Sequence, residues 1–523
     1  MKKVIKYIGI CLMAISAIIV LIGFFAGTSN NSTAQVNEME TVVKVSEQLA
    51  DTTVFEESIA NADTLVQQAV SQTPTTQRRD YSGLLEALNG SIDKSIPFKD
   101  IVRGVFGLIV IIGIAWLFSN NRKAINWKFV AFSLLFQIAI ALCIIYIPAV
   151  AGFFTFFGKI FVRITMAAES GVIFLFGGLI NNEQIGYMFA FKVLPSIIFF
   201  STISSLLFYW GIIQVIVKWL GWLFSKIMGL SGVESLSLAG NIFLGQTEAP
   251  LIVKNYLPNV TDAELFIVMV GGMATMSGGT LSAYIALLGG GDPALSVFFA
   301  RHLLAASVMA APASVVIGRI VFPQTVEKVQ EVKLTKTDKK NTNVLDVITN
   351  GAVEGMRLAV NVATQLLVFV ALISLTNFIL FKIGDWTTLN NFIVAKTNYN
   401  GLSLQFILGY ALSPIMWLIG VPGQDMFQLG QLLGEKTIIN EFVGYATLTD
   451  MVSNGILQPK SIIMGVYLLC GFANFSSVGI QLAGIGSLAP TRRHDLSRYG
   501  MKALLVAAMT ALLSSAIMGT ILG

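Results

Sequence analysis

The 523-residue chain is 55% hydrophobic and only 12% charged, and its mean hydropathy is +0.75. Soluble domains carry about 25% charged residues, so this composition excludes an ordinary soluble enzyme or a disordered regulator. The net charge of +5 comes from Lys and Arg in short connecting segments rather than from a basic stripe, which argues against nucleic acid as a partner. We therefore predict an all-α polytopic membrane protein.

A membrane-spanning helix needs about 20 predominantly apolar residues. Ten stretches free of acidic and basic residues are candidates: 7–37, 104–121, 129–158, 193–217, 265–291, 303–318, 358–381, 397–424, 461–491 and 503–523. The positions of the basic residues are consistent with about nine spans if the stretch 397–424 and its sequel make no net crossing.

Residues 1–26 begin with a basic cluster and continue as an apolar run, which fits either a retained transmembrane anchor or a cleaved signal segment. Lys2, Lys3 and Lys6 place the N-terminus in the cytoplasm if the helix is retained. Residues 27–99 then form an extracytoplasmic polar segment, and the C-terminus is extracytoplasmic.

The segment 234–258 is apolar at both ends and polar in the middle, where Pro250 and two glycines interrupt it. We predict a re-entrant hairpin of two half-helices, because irregular backbone at membrane depth is tolerated only where it lines a cavity. The tip would present Gln246, Thr247 and Glu248, which suit a neutral polar ligand. The alternative is a surface loop with Glu248 in water.

Two later spans share the pattern Gly-x-Ala-(Thr/Asn)-x-Ser. The pattern runs from Gly272 to Ser277 in one span and from Gly471 to Ser476 in the other. The distribution of basic residues makes these two spans antiparallel. Inverted repeats with discontinuous helices are typical of secondary transporters, so we predict two unwound transmembrane helices, although small and hydroxyl residues also serve as packing contacts between helices.

Unwinding near Gly278 and Gly279 would free backbone carbonyls as ligands. Neutral oxygens without a carboxylate cluster suit a monovalent cation better than calcium.

Glu441 lies between apolar residues in 425–455, which we predict to be a second hairpin. A charge at the centre of a spanning helix costs about 2.5–3.5 kcal/mol on insertion scales, so this carboxylate should face protein or a water-filled site. The alternative is a peripheral Glu441 paired with Lys436, although a spacing of five residues is off the i,i+4 contact.

At these residues the chain resembles the concentrative nucleoside transporter family, over about residues 100–523. The similar motifs are Gly245-Gln-Thr-Glu-Ala-Pro250, Gly434-x-Lys436-x-x-x-Asn440-Glu441-Phe-Val-Gly-Tyr445, Gly471-Phe-Ala-Asn474-Phe-Ser-Ser477 and Gly486-Ser-Leu-Ala-Pro490-Thr-Arg-Arg. The resemblance implies a homotrimer with eight family spans, to which the N-terminal helix adds one.

In such a fold, scaffold helices near 104–158 and 358–381 would support a mobile part. That part would contain the first hairpin 234–258 with the broken helix 262–290, and the second hairpin 425–455 with the broken helix 461–490.

The resemblance also implies the residues of the site. The substrate-binding residues would be Gln246, Thr247 and Glu248 on the nucleobase, Glu441, Asn474 and Ser477 on the ribose, and Phe472 and Thr280 as apolar or edge contacts. Sodium would bind the side chains of Asn241 and Thr275 and the carbonyls of Leu244 and Met276.

The resulting hypothesis is a secondary transporter of the plasma (inner) membrane that imports nucleosides with sodium by alternating access, with no organic cofactor. One alternative is a proton-coupled nucleoside symporter, which the presence of Asn241 and Thr275 disfavours. A second alternative is a nucleoside-binding receptor or enzyme without transport. No Ser/His dyad, HExxH motif or paired catalytic aspartates occur in the spans, which counts against an enzyme.

Overall fold

The computed structural model describes residues 82–93, 97–177, 189–326, 343–397 and 399–522. These ranges are helical and contain no strand. The α-helices up to residue 321 are α1 (Ser82–Asp93), α2 (Phe98–Leu117), α3 (Trp127–Tyr146), α4 (Pro148–Phe176), α5 (Phe189–Lys192), α6 (Leu194–Tyr209), α7 (Ile212–Met228), α8 (Gly232–Asn241), α9 (Asp262–Ala274), α10 (Gly278–Gly289) and α11 (Pro293–Val321).

The remaining α-helices are α12 (Val344–Trp386), α13 (Leu389–Lys396), α14 (Leu404–Leu418), α15 (Met426–Ile438), α16 (Glu441–Ser453), α17 (Pro459–Leu469), α18 (Phe475–Leu488) and α19 (Arg493–Ile521). Short 3-10 helices occupy Arg122–Ala124, Ala249–Val253, Leu257–Asn259 and Pro490–Arg492.

Seven helical segments in the described ranges are long and apolar enough to cross a membrane, or up to eight if the bent pair α6 and α7 is one span. The predicted all-α polytopic fold is confirmed. The predicted N-terminal span and most of the segment 27–99 lie outside the described residues.

The stretch 129–158, expected to be one span, is two helices. Helix α3 ends at Tyr146 and α4 starts at Pro148, which takes the first helical position because its missing N–H is not needed there. Lys159, Arg163 and Glu169 lie within α4, so a search for uncharged stretches missed this 29-residue span.

Burial separates central from peripheral helices. The most apolar windows of the α9–α10 segment and of α11 are 89% and 94% buried, whereas those of α2 and α3 are 28% and 33% buried. The window of the 43-residue α12 is not buried at all. At 1.5 Å per residue α12 is roughly 65 Å long, about twice the thickness of a bilayer core.

Both predicted broken helices are interrupted. The first breaks between α9 and α10 at Thr275–Ser277, and the second breaks between α17 and α18 at Cys470–Asn474. The breaks touch each other at Gly471, whose φ of +89° favours glycine and whose added Cβ would collide with the Ala274 carbonyl. The two irregular segments therefore meet backbone to backbone.

The two predicted hairpin segments differ in form. In 234–258, α8 is followed by a tight turn and the 3-10 helix Ala249–Val253, which packs back against Gly240. The expected second α-helical arm is absent from this segment, where Pro250 removes a backbone donor. In 425–455 both arms are α-helical, and only Ile439 and Asn440 separate them.

Candidate functional site

A continuous row of hydrogen bonds joins the first hairpin segment, the second broken helix and the second hairpin segment. Gln246 Nε2 donates to Ser477 Oγ at 3.3 Å, and the Ser477 amide donates to Asn474 Oδ1 at 2.9 Å. Asn474 Nδ2 then donates to Glu441 Oε2 at 2.7 Å. All four residues are buried, so four of the eight predicted substrate residues lie together inside the protein.

Helix N-termini explain the position of this row. Asn474 is the N-cap of α18, and Asn440, the N-cap of α16, accepts a hydrogen bond from the Val443 amide at 3.0 Å. Glu441 is the first residue of α16. The positive end of a helix dipole stabilises a carboxylate at this position, which offsets part of the cost of burying it.

Tyr284 on α10 is a further member of the site that sequence reasoning missed. Its hydroxyl donates to Glu441 Oε1 at 3.2 Å, and its ring stacks on Tyr445 with centroids 4.2 Å apart. A buried tyrosine hydroxyl normally finds a polar partner. The sequence did contain a signal for this residue, because a tyrosine in the same span as the predicted break at Thr275 needs a polar partner inside the protein.

The alternative of a peripheral Glu441 paired with Lys436 is wrong. Glu441 is 3% exposed and Lys436 is 0% exposed. The Lys436 ammonium donates to the carbonyls of Leu468 at 3.0 Å and Cys470 at 2.6 Å.

The other residues predicted for the nucleobase lie beside the row. Thr247 packs against Gly484 of α18. The Glu248 side chain accepts a hydrogen bond from the Gly245 amide at 3.3 Å. Glu248 is exposed, unlike the four residues of the row. No hydrogen bond joins it to Glu441 within the described residues.

The two predicted apolar or edge contacts have different surroundings. Thr280 is buried, and its hydroxyl donates to the Ser277 carbonyl at 3.0 Å. Phe472 is half-buried in the second break, where its carbonyl accepts from the Asn474 amide at 2.9 Å.

The predicted sodium ligands lie between the first hairpin segment and the first break. Asn241, the last residue of α8, is 0% exposed, and within the described part of the chain neither polar atom of its amide has a hydrogen-bond partner. Thr275 and Met276 lie in the break. Leu244 is buried and follows Asn241 by three residues in the chain. The Gly278 amide donates to the Phe243 carbonyl at 3.0 Å, which joins the hairpin tip to the break.

A buried amide without a partner costs about 1–3 kcal/mol, so Asn241 is suited to a ligand rather than to packing. The Thr275 hydroxyl donates to the Gly271 carbonyl at 2.8 Å, which leaves its lone pairs free to accept. The Asn241 amide oxygen, the Thr275 hydroxyl and the predicted backbone carbonyls are all neutral oxygens, which is the ligand chemistry that suits a monovalent cation.

Most of the chain matches known families. Residues 106–179 and 302–519 match the N-terminal and C-terminal regions described as "Na+ dependent nucleoside transporter", and residues 190–291 match the "Gate" family, described as "Nucleoside recognition". A Haemophilus influenzae protein described as an uncharacterized transporter is 40% identical over 428 residues, which are 81% of this chain and 98% of that protein.

The chain belongs to the concentrative nucleoside transporter family. The resemblance inferred from its motifs is thereby confirmed. Rat sodium/nucleoside cotransporter 1 is 35% identical over 79% of this chain and 62% of its own length. The structure of CNTnw in an inward-facing substrate-bound state is 36% identical and covers 81% of this chain and 98% of its own, with a TM-score of 0.73. A doubly substituted CNTnw in an outward-facing state has a TM-score of 0.74.

As a member of this family, the protein is a multi-pass membrane transporter of nucleosides. Sodium dependence is part of the family's description. The matched regions of the concentrative nucleoside transporter family begin at residue 106, so they include neither the polar segment 27–99 nor the apolar run before it.

Proposed function

We propose that the protein imports nucleosides across the plasma (inner) membrane in symport with sodium ions. The observation that carries this proposal is the buried row from Gln246 to Glu441. Its Gln246 end packs on Gly272, next to Gly271, on which the buried Asn241 amide packs. A polar site of this kind within an apolar bundle is expensive, and membership of a family of sodium-dependent nucleoside transporters supports this use for it.

In the proposed substrate site, Glu441, Asn474 and Ser477 bind the ribose. A carboxylate has about four lone-pair positions, and the hydrogen bonds from Tyr284 and Asn474 occupy one on each oxygen of Glu441. The remaining positions can accept the vicinal hydroxyls of a ribose, which are donors.

At the other end of the row, Gln246, Thr247 and Glu248 supply donors and acceptors for the nucleobase. Phe472 and Thr280 would contribute the apolar and edge contacts. The hydrogen bond of 3.3 Å between Gln246 and Ser477 is long, so a bound nucleoside can exchange it for contacts of its own without a large loss.

The proposed sodium site consists of the Asn241 and Thr275 side chains and the Leu244 and Met276 carbonyls. A bound ion supplies positive charge beside the tip that carries Gln246. Because the two sites share this tip, each ligand raises the affinity for the other by the same factor.

We further propose that the transporter domain spans residues 100–523 and forms a homotrimer in the lipid bilayer. Its mobile part would comprise 234–258 with 262–290 and 425–455 with 461–490, as inverted repeats that alternate between the two sides of the membrane. The exposed apolar face of α12, on which Leu367 and Trp386 are 73% and 83% exposed, is available for contact with lipid or with another copy of the chain. Native mass spectrometry of the purified protein measures the oligomeric state.

Uptake of radiolabelled uridine and adenosine into proteoliposomes tests the proposed function. We expect uptake that requires an inward sodium gradient and concentrates the nucleoside. Equal uptake in choline buffer at fixed pH would contradict sodium coupling, and uptake driven by a proton gradient alone would favour the proton-coupled alternative. Binding without flux would favour a receptor.

A further inference from the structure

The buried ammonium of Lys436 is a charged group that the proposed transport mechanism has not used. Lys436 lies in the last turn of α15 and is 0% exposed. Its two hydrogen bonds go to the carbonyls of Leu468 and Cys470, at the point where α17 ends and the chain unwinds. In the described ranges no carboxylate lies within ion-pair distance of it.

The first hairpin segment has a counterpart of this residue. Asn241 closes α8, the first helix of its hairpin, as Lys436 occupies the last turn of α15. Asn241 Nδ2 lies beside Gly271 in the last turn of α9, 3.5 Å from the position of an added Cβ. Each hairpin thus directs one buried polar side chain at the terminus of the broken helix that follows it.

Asn241 and Lys436 differ in charge and in whether their polar atoms have partners. The Asn241 amide has unused polar atoms among the described residues and carries no charge. Lys436 carries its own positive charge, and it donates to carbonyls at the negative end of a helix, where a cation is favourable. The first position therefore needs a cation from solution, and the second already contains one.

Charge supports the same distinction. Lys436 and Glu441 lie five positions apart, on either side of the two-residue break between α15 and α16, and both are buried. Among the described residues, the side chains that donate hydrogen bonds to the Glu441 carboxylate, Tyr284 and Asn474, are neutral. A buried carboxylate is costly without a compensating charge, and the ammonium of Lys436 is a buried positive group close to it in the chain.

We propose that Lys436 is a resident cation of the transport site, which holds the unwound end of α17 and balances Glu441, as a sodium ion does at Asn241 in the other half. The inference rests on the proposed sodium-coupled function and makes Lys436 a positioning residue. Replacing it with a neutral side chain should then leave the second half in need of a cation from solution.

The decisive experiment measures uridine binding to the purified full-length protein by calorimetry as a function of sodium concentration. Lys436→Met keeps the apolar stem and removes the charge. We expect binding by this variant to need at least tenfold more sodium than the wild type, with a Hill coefficient for sodium that is larger by about one. Lys436→Arg, which keeps the charge, should retain the wild-type Hill coefficient.

Lys460→Met is a matched control, because Lys460 is also buried but pairs with Asp100 at 3.1 Å. Its sodium dependence should equal that of the wild type. A thermal unfolding curve for each variant identifies those that are misfolded. For a folded but inactive Met variant, Lys436→Ala is assayed with added propylammonium, which should restore binding, and with propanol, which should not.

The outcomes separate the inference from the proposed function. Absence of sodium-dependent uridine binding in the wild type would contradict the proposed function itself. A normal wild type with an unchanged sodium Hill coefficient in an active Lys436→Met variant would overturn the resident-cation proposal. So would a failure of both sodium and propylammonium to restore binding to folded Lys436 variants.

Discussion

The two halves of the site are each a hairpin segment followed by an interrupted helix, but they differ in how their polar groups are paired. In the first half, Glu248 is exposed and the Asn241 amide has no partner within the described residues. In the second half, Glu441 is buried with two hydrogen bonds, and Lys436 caps the broken helix. Among the residues that the structure describes, these polar groups of the second half therefore have partners, whereas the first half has a buried amide that is left without one.

The largest expected effect is at Glu441, because its buried carboxylate is the charged acceptor at the end of the row of hydrogen bonds. Glu441→Gln removes the charge of the side chain that accepts from Asn474 and Tyr284 and that would accept from the ribose in the proposed site. With hydrogen bonds to charged groups worth about 1.5–3 kcal/mol each, uridine kcat/KM should fall at least 100-fold in the proteoliposome assay.

Glu435→Gln is the control for this prediction. Glu435 is buried on α15 and accepts from Gln431 at 3.0 Å, but it has no hydrogen bond to the row. Its kcat/KM should stay within about threefold of the wild type. Similar losses at both positions would mean that any buried carboxylate of this hairpin matters, and the special role of Glu441 would be lost.

At Asn241 we expect a smaller loss of transport than at Glu441, together with unchanged or increased thermal stability. Asn241→Leu replaces an unpartnered buried amide with an apolar group of similar size, which removes a desolvation cost of about 1–3 kcal/mol. The sodium concentration for half-maximal uptake should rise at least tenfold while the Tm stays equal or increases. A lower Tm with unchanged sodium dependence would show that Asn241 is a packing residue.

The smallest effect is expected at Tyr284. Tyr284→Phe removes one of the two hydrogen bonds to Glu441 and leaves the ring to stack on Tyr445. The loss of about 1 kcal/mol corresponds to roughly fivefold weaker uridine binding. Calorimetry with uridine and 2′-deoxyuridine measures it, and an equal loss for both ligands would place the effect outside the recognition of the 2′-hydroxyl.

The sequence predicted the helix breaks and the principal polar residues because both leave local signals. Glycines and polar residues inside an apolar run are conspicuous, as at Thr275 and Asn474. Helix α4 was missed because its three charged residues conceal a span from a search for uncharged stretches. The 3-10 arm after Glu248 was also missed, since composition does not distinguish it from an α-helix.

Contacts between distant segments could not be read from the sequence. Tyr284 meets Glu441 across 157 positions, and Gln246 meets Ser477 across 231. From the sequence, Lys436 could be read as a surface ion-pair partner. Its observed acceptors are backbone carbonyls, and since every residue has one, the sequence does not show which carbonyls a lysine will reach. Such hydrogen bonds depend on how the helices pack, and the identity of the residues alone does not predict them.

The contact between Gly471 and the Ala274 carbonyl leaves no room for a side chain. With no side chain between the two interrupted helices, their unwound segments pack backbone against backbone. A side chain at position 471 would push the two breaks apart, so we expect any larger residue there to disturb both interrupted helices at once.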